Sequence, residues 1–127
     1  MPRNKNRIYL AFYSRPQHDD YHMAILVFPK KNSDPFIRNT WRLHVMNKPN
    51  PSRPTSQEWK YEPLQVVGRT GRLLALGLLG KTEKSGRAIS EMLRAVELVQ
   101  DDTSWNCKSW AFSAIEASTK KRAPLTL

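Results

Sequence analysis

Cysteine occurs once in this sequence of 127 residues, as Cys107. One cysteine closes no intrachain disulfide and builds no multi-cysteine zinc site. The three histidines, His18, His22 and His44, have no metal-ligand spacing, so neither a metal nor another cofactor is expected. No apolar run approaches the roughly 20 residues that a membrane span needs. The opening Met1-Pro2-Arg3-Asn4-Lys5 does not lead into a signal-peptide core, so an intracellular protein is expected. A phosphate-binding glycine loop is lacking too: Gly68-Arg69-Thr70-Gly71-Arg72 is short, has no Gly-Lys-Ser/Thr ending, and reads as a turn.

What is present fits one α+β domain over residues 1–127. Apolar residues make up 39% and charged residues 25%, near the globular average, which excludes wholesale disorder. Lys and Arg number 21 against 11 Asp and Glu, a net charge of +10. Clustered cations would announce a phosphate-binding surface. Here Arg3, Lys5, Arg7, Lys120, Lys121 and Arg122 lie near the ends, with 1–6 and 119–127 expected as flexible basic tails. Between them 15 basic residues face 11 acidic ones, spread along the chain as on solvated faces. No zinc-finger spacing, basic-zipper heptad or aromatic-glycine RNA-binding signature occurs. The basic C-terminal end leaves nuclear as well as cytoplasmic placement open.

The order of elements is about five strands, then two helices. Ile8 to Tyr13 and Tyr21 to Phe28 are short aromatic and β-branched runs bounded by turns. Phe36 to Met46 alternates, with Trp41, Leu43 and Val45 on one face and Arg42 and His44 on the other. Pro49, Pro51 and Pro54 predict an irregular loop over 47–56. Glu58 to Glu62 alternates as a fourth strand, extended through Val67. Gly77 and Gly80 make the apolar run 72–79 a strand. Over 83–99, Ala88, Ile89, Met92, Leu93 and Val96 recur at helical spacing. A second helix follows Asn106, its best-placed N-cap, with Trp110, Ala111, Ala114 and Ile115 as the apolar stripe.

Cys107 therefore opens a helix, where unpaired backbone N–H groups and the positive end of the helix dipole favour a thiolate. A lone cysteine is usually a buried, inert small hydrophobe, and the helix-start position is what sets this one apart. An activated thiol needs a base from elsewhere in the fold. His22, at a strand end, can present its ring at the sheet rim, and His44 can hold that imidazole in one tautomer. Both are equally readable as ordinary surface histidines, and His18 has no role beyond solvent. Tyr21, Trp105, Asn106 and Trp110 flank these residues as substrate-binding or supporting groups. Glu58 and Glu62 share a strand face, more simply a solvated face than an acid–base pair.

The segments Tyr21-His22-Met23-Ala24-Ile25-Leu26-Val27 and Trp105-Asn106-Cys107-Lys108-Ser109-Trp110-Ala111 resemble the histidine strand and Asn-Cys helix of the circularly permuted papain-like superfamily. That superfamily includes the lecithin:retinol acyltransferase-like proteins and relatives of the NlpC peptidases. As in the permuted members, histidine precedes cysteine. His22, His44 and Asn106-Cys107 match their places one by one. Acyltransferase-like members follow Asn-Cys with an acidic or polar residue, histidine and an aromatic, where this chain has Lys108, Ser109 and Trp110. More closely, residues 7–115 resemble a fungal family of small proteins with a Tyr-His strand, a Trp-x-Tyr-Glu segment (Trp59, Tyr61, Glu62) and a Trp-Asn-Cys helix start.

The resemblance implies a permuted papain-like fold, a small antiparallel sheet against two C-terminal helices. It also implies a cysteine-dependent hydrolase or acyltransferase, or an enzyme tailoring a small metabolite. Cys107 would be the nucleophile, His22 the base and His44 the third member. The substrate would be a small-molecule or peptide acyl compound, which the basic surface would favour as an anion. The competing reading is a non-catalytic basic protein on the same fold, binding nucleic acid or an acidic protein, with Cys107 a packed relic.

Overall fold

Alternation along the strands decides what each face of the sheet meets. The computed structural model describes residues 5–15, 21–29, 38–68 and 70–120. Five strands, β1 (Asn6–Ser14), β2 (Tyr21–Phe28), β3 (Arg38–Asn50), β4 (Arg53–Val67) and β5 (Leu73–Thr82), precede helices α1 (Gly86–Leu93) and α2 (Cys107–Lys120). The strands form one antiparallel sheet in the order β4-β3-β2-β1-β5. This is an α+β arrangement.

In β2, Met23, Ile25 and Val27 face the helices and are buried with Leu43 and Val45 of β3. Ile89 and Leu93 of α1, and Cys107, Trp110, Ala111 and Ala114 of α2, complete that core. Ala24 and Leu26 take the reverse face, with Ala11 and Tyr13 and the flanking Tyr9, Phe28 and Leu73. Burial on both faces explains why β2 is one continuous apolar run in the sequence. Fully burying a side chain such as Ile25 or Leu26 contributes about 1.5–3 kcal/mol.

The ladders are unequal, and this positions the site. β3 and β4 pair from Arg38 opposite Val67 to Asn50 opposite Arg53, with one register shift near each end. β2 and β3 pair over three residues only, Ile25–Val27 against Trp41–Leu43. Beyond Ile25 and Leu43, toward His22 and His44, the two strands part. α2 packs across β2 and β3.

Residues 47–56 are a hairpin rather than an irregular loop. Pro49 lies opposite Gln57, beside the register shift at Pro49/Asn50, and Pro54 lies in the edge strand β4. At an irregular end and on a sheet edge, a missing backbone donor costs little. The first helix is shorter than its apolar spacing predicts. Ser85 caps it, its hydroxyl accepting from Ala88 N at 3.0 Å, and Arg94 closes it. The chain then tightens through Ala95 N→Met92 O and Val96 N→Leu93 O, 3.3 and 3.1 Å. Val96 thus lies past the helix yet still packs on the core. Gly86 lets α1 approach the sheet: a Cβ there would collide with the Trp41 ring.

The expected tails begin further out than their composition suggests. β1 starts at Asn6, whose amide donates to the Lys84 carbonyl at 2.6 Å, and α2 runs to Lys120. The rest of those tails, 1–4 and 121–127, lies outside the described residues, as do His18 and the loop Lys30 to Pro35. Among the described residues no helix is long and apolar enough to cross a membrane.

Candidate functional site

α2 begins as its sequence demands. The short Asn106 side chain reaches its own helix, Oδ1 accepting from Lys108 N at 2.9 Å and from Ser109 N at 3.4 Å. Ser109 Oγ accepts in return from Asn106 N at 3.2 Å, a reciprocal cap. Cys107, the first helical residue, is 6% exposed and joins the core on one side. The segment before α2 is tied to the sheet by Gln100, which accepts from Trp59 N at 2.8 Å and donates to Trp59 O at 3.0 Å.

Where β2 and β3 diverge, three side chains form a line of hydrogen bonds. His22 Nε2 lies 2.7 Å from His44 Nδ1, and His44 Nε2 lies 2.8 Å from Glu62 Oε1. The Lys48 ammonium donates to Glu62 Oε2 at 3.1 Å. The strand registers build this line, because His44 stands directly opposite Glu62 in the β3–β4 ladder.

Protonation follows from the surroundings. Hydrogen bonding by His44 holds the Glu62 carboxyl below its usual range, with Lys48 adding to the effect and partial burial opposing it. Burial lowers the His44 pKa, outweighing the support from Glu62. Burial, then His44, Arg15 and Arg42, lowers His22 to about 4. Both imidazoles are therefore neutral at pH 7, and the contact between His44 and Glu62 is a hydrogen bond rather than an ion pair. The carboxylate only accepts, so His44 carries its proton on Nε2 and offers Nδ1 as acceptor. His22 then donates from Nε2, which leaves its Nδ1 with a lone pair.

A cleft of about 750 Å³ gathers these groups with the start of α2. His22, His44 and Glu62 line it together with Asn106, Cys107 and Lys108. Of the four supporting candidates, Asn106 is both cap and cleft wall. Trp105 is not among the lining residues and packs edge-on to one of them, Trp59, at 5.5 Å. Trp110 is fully buried in the core, where apolar packing of α2 leaves no ligand-facing surface. Tyr21 is half exposed, packs edge-on to Phe12 at 6.1 Å and does not line the cleft. Of the two alternatives expected for these residues, Trp110 takes the supporting one, inside the core, while Tyr21 lies at the outer surface.

Sequence reasoning missed Glu62 as a partner of His44. It sets Glu62 beside Glu58, but Glu58 pairs with Lys60 at 3.3 Å while Glu62 turns to His44 and Lys48. The available signal was cross-strand register, which a single chain does not display. No group of His, Cys, Asp and Glu among the described residues is arranged to hold a metal.

Neither curated proteins nor solved structures return a match to this chain. A family model described as a family of unknown function, DUF6914, matches residues 5–126. Since that span is nearly the whole sequence, the chain belongs to the DUF6914 family.

Proposed function

We propose that the protein is a cysteine-dependent acyl-group enzyme, a hydrolase or acyltransferase with a permuted papain-like site. The observation that carries this reading is the directed line Glu62–His44–His22, which ends on a neutral imidazole with one unprotonated nitrogen, lining the cleft that Cys107 also lines. A line of this kind is the arrangement that turns a histidine into a general base for a thiol.

In the reaction, Cys107 Sγ attacks the acyl carbonyl while its proton passes to His22 Nδ1. The carbonyl oxygen takes up the negative charge of the tetrahedral intermediate. The Asn106 cap takes the N–H groups of Lys108 and Ser109, so the N–H of Cys107 is the first-turn donor left for that oxyanion. When the intermediate collapses, the carbon–leaving-group bond breaks, and the leaving group departs with the proton from His22. Water or an amine then attacks the thioester, gives a proton to His22 and releases Cys107. His44 and Glu62 hold the imidazole without exchanging protons with substrate. A free thiol nucleophile suits the reducing interior of the cell.

The test is the pH–rate profile of Cys107 alkylation by iodoacetamide. The expected result is modification well below pH 8 that slows at least tenfold in His22→Ala. A thiol that stays inert in the folded protein removes the chemical basis of the reading.

A further inference from the structure

We propose that Arg15, Arg42 and Arg72 form a subsite for an anionic group, a carboxylate or phosphate, which the substrate carries beside its reacting acyl carbonyl. This rests on the acyl-enzyme reading and adds the class of substrate to it.

The cleft wall is strongly cationic. Arg15, Arg42, Arg72 and Lys108 line it, and among the described lining residues Glu62 is the one carboxylate. That carboxylate is already engaged by His44 and Lys48. The three arginines come from separate elements, the end of β1, the middle of β3 and the turn before β5. Two of them are joined through the backbone, where Ser14 N donates to Arg72 O at 2.8 Å and sets Arg72 beside Arg15, and Arg42 meets them as a wall of the same cleft.

Arg42 is the most telling of the three. An arginine in a sheet usually meets an acid on the next strand, as cross-strand pairing favours. Here its neighbours in register are Leu26 on β2 and Leu64 on β4. Its nearest carboxylate contact, Nη2 to Glu62 Oε1, is 4.0 Å, at the outer limit of an ion pair. Its Nε is buried without a hydrogen-bond partner. Leaving a buried donor of a charged group unmatched is costly, and a bound oxyanion would satisfy it bidentately.

Location ties this subsite to the chemistry. Arg15 and Arg42 both act electrostatically on His22, where they oppose its protonation. An anion on the two guanidiniums offsets that opposition and makes His22 a better base when substrate is present. His44, Glu62 and Tyr13 also face His22 and stay as they are. A substrate without the anionic group forgoes this gain.

The experiment uses the full chain in two arms. In the first, inorganic phosphate and, separately, acetate are titrated against isotope-labelled protein followed by NMR at constant ionic strength. Saturable shifts at the three arginine Nε–H groups are expected, weakened at least fivefold in Arg42→Gln and in Arg72→Gln. The tighter of the two ions names the group. In the second, Cys107 is alkylated by anionic iodoacetate and by neutral iodoacetamide. The ratio of the two rates should fall at least fivefold in each variant. If phosphate and acetate do not saturate at these residues and the ratio does not change, the subsite is wrong while a reactive thiol leaves the enzyme reading intact. If the thiol is inert to both reagents but the ions still bind at the arginines, the acyl chemistry fails and the anion site stands alone. Folded variants are verified by the dispersion of their amide spectra, and Arg72→Gln, at the exposed turn, serves if Arg42→Gln does not fold.

Discussion

His22 Nε2 stands 2.7 Å from His44 Nδ1, with the two rings edge-on at 74°. The contact joins side chains from two strands at the point where their backbone pairing has ended. Its direction is set from a distance, by the carboxylate of Glu62 on a third strand. Replacing Glu62 by Gln should therefore act on His22, which Glu62 does not contact through any hydrogen bond described above. Gln supplies a donor as well as an acceptor, so His44 can turn over its tautomer and take the proton of His22 onto Nδ1. The expected loss in Cys107 reactivity is roughly 10–100-fold, the scale for a group that orients a functional histidine. Imidazole nitrogen shifts should show His44 or His22 in mixed tautomers. Unchanged tautomers together with an unchanged rate would show that the line has no such role.

Asn106 offers a way to separate architecture from chemistry. Asn106→Ala removes the acceptor of two N–H groups and should cost about 1 kcal/mol of stability. Asn106→Asp keeps the cap and adds charge that suits a helix N-terminus, so thermal stability should hold or rise slightly. The same carboxylate, next to Cys107, repels the anion that forms during attack. Alkylation should thus be slower in Asn106→Asp than in the wild type despite its intact helix. Equal rates in those two proteins would place the nucleophile outside the influence of the helix start.

Much of this arrangement is legible from one chain, and the reasons differ by residue. The core stripe of β2 and the cap at Asn106 are local: periodicity and side-chain length specify them without knowledge of the rest. His44 can be put on the face opposite Leu43 because a strand alternates. Its partners are another matter. Glu62 meets His44 only through a register fixed over a long hairpin, and the prolines of that hairpin argue locally against any strand. The end of α1 is hidden for a similar reason, since Val96 keeps the apolar spacing while the backbone has already left the helix. The arginines read as scattered charge, because their convergence depends on three separate elements.

At Gly86 the start of α1 lies directly against the Trp41 ring of β3. At the first turn of a helix alanine is intrinsically better than glycine, by up to ~1 kcal/mol. A methyl group at this position would overlap the Trp41 ring, which Arg87 also covers at 5.3 Å. Steric cost wins, and Gly86→Ala should destabilise by a net ~1–3 kcal/mol, as overpacking does. Urea unfolding followed by tryptophan fluorescence measures it directly. A gain in stability would mean that α1 can lift from Trp41 freely.

Acid should weaken the fold through the same histidines that serve the site. His22 is lowered from 6.5 to about 4 in the folded chain, so between those values the unfolded chain binds more protons than the native one. His44 is lowered as well, chiefly by burial. The sign is then fixed: stability is full above pH 6.5 and declines as pH falls toward about 4. Glu62, held below 4.5 in the fold, adds a further loss in more acid solution. At the alkaline end Tyr61, pushed from 10.0 to about 12 by burial, makes stability decline as pH rises beyond 10. Urea midpoints taken at half-unit steps should slope downward from pH 6.5 to 4, and His22→Gln should flatten that slope because the substituted side chain has no proton to gain. A midpoint that is level across this window in the wild type would mean that neither imidazole is held neutral by burial.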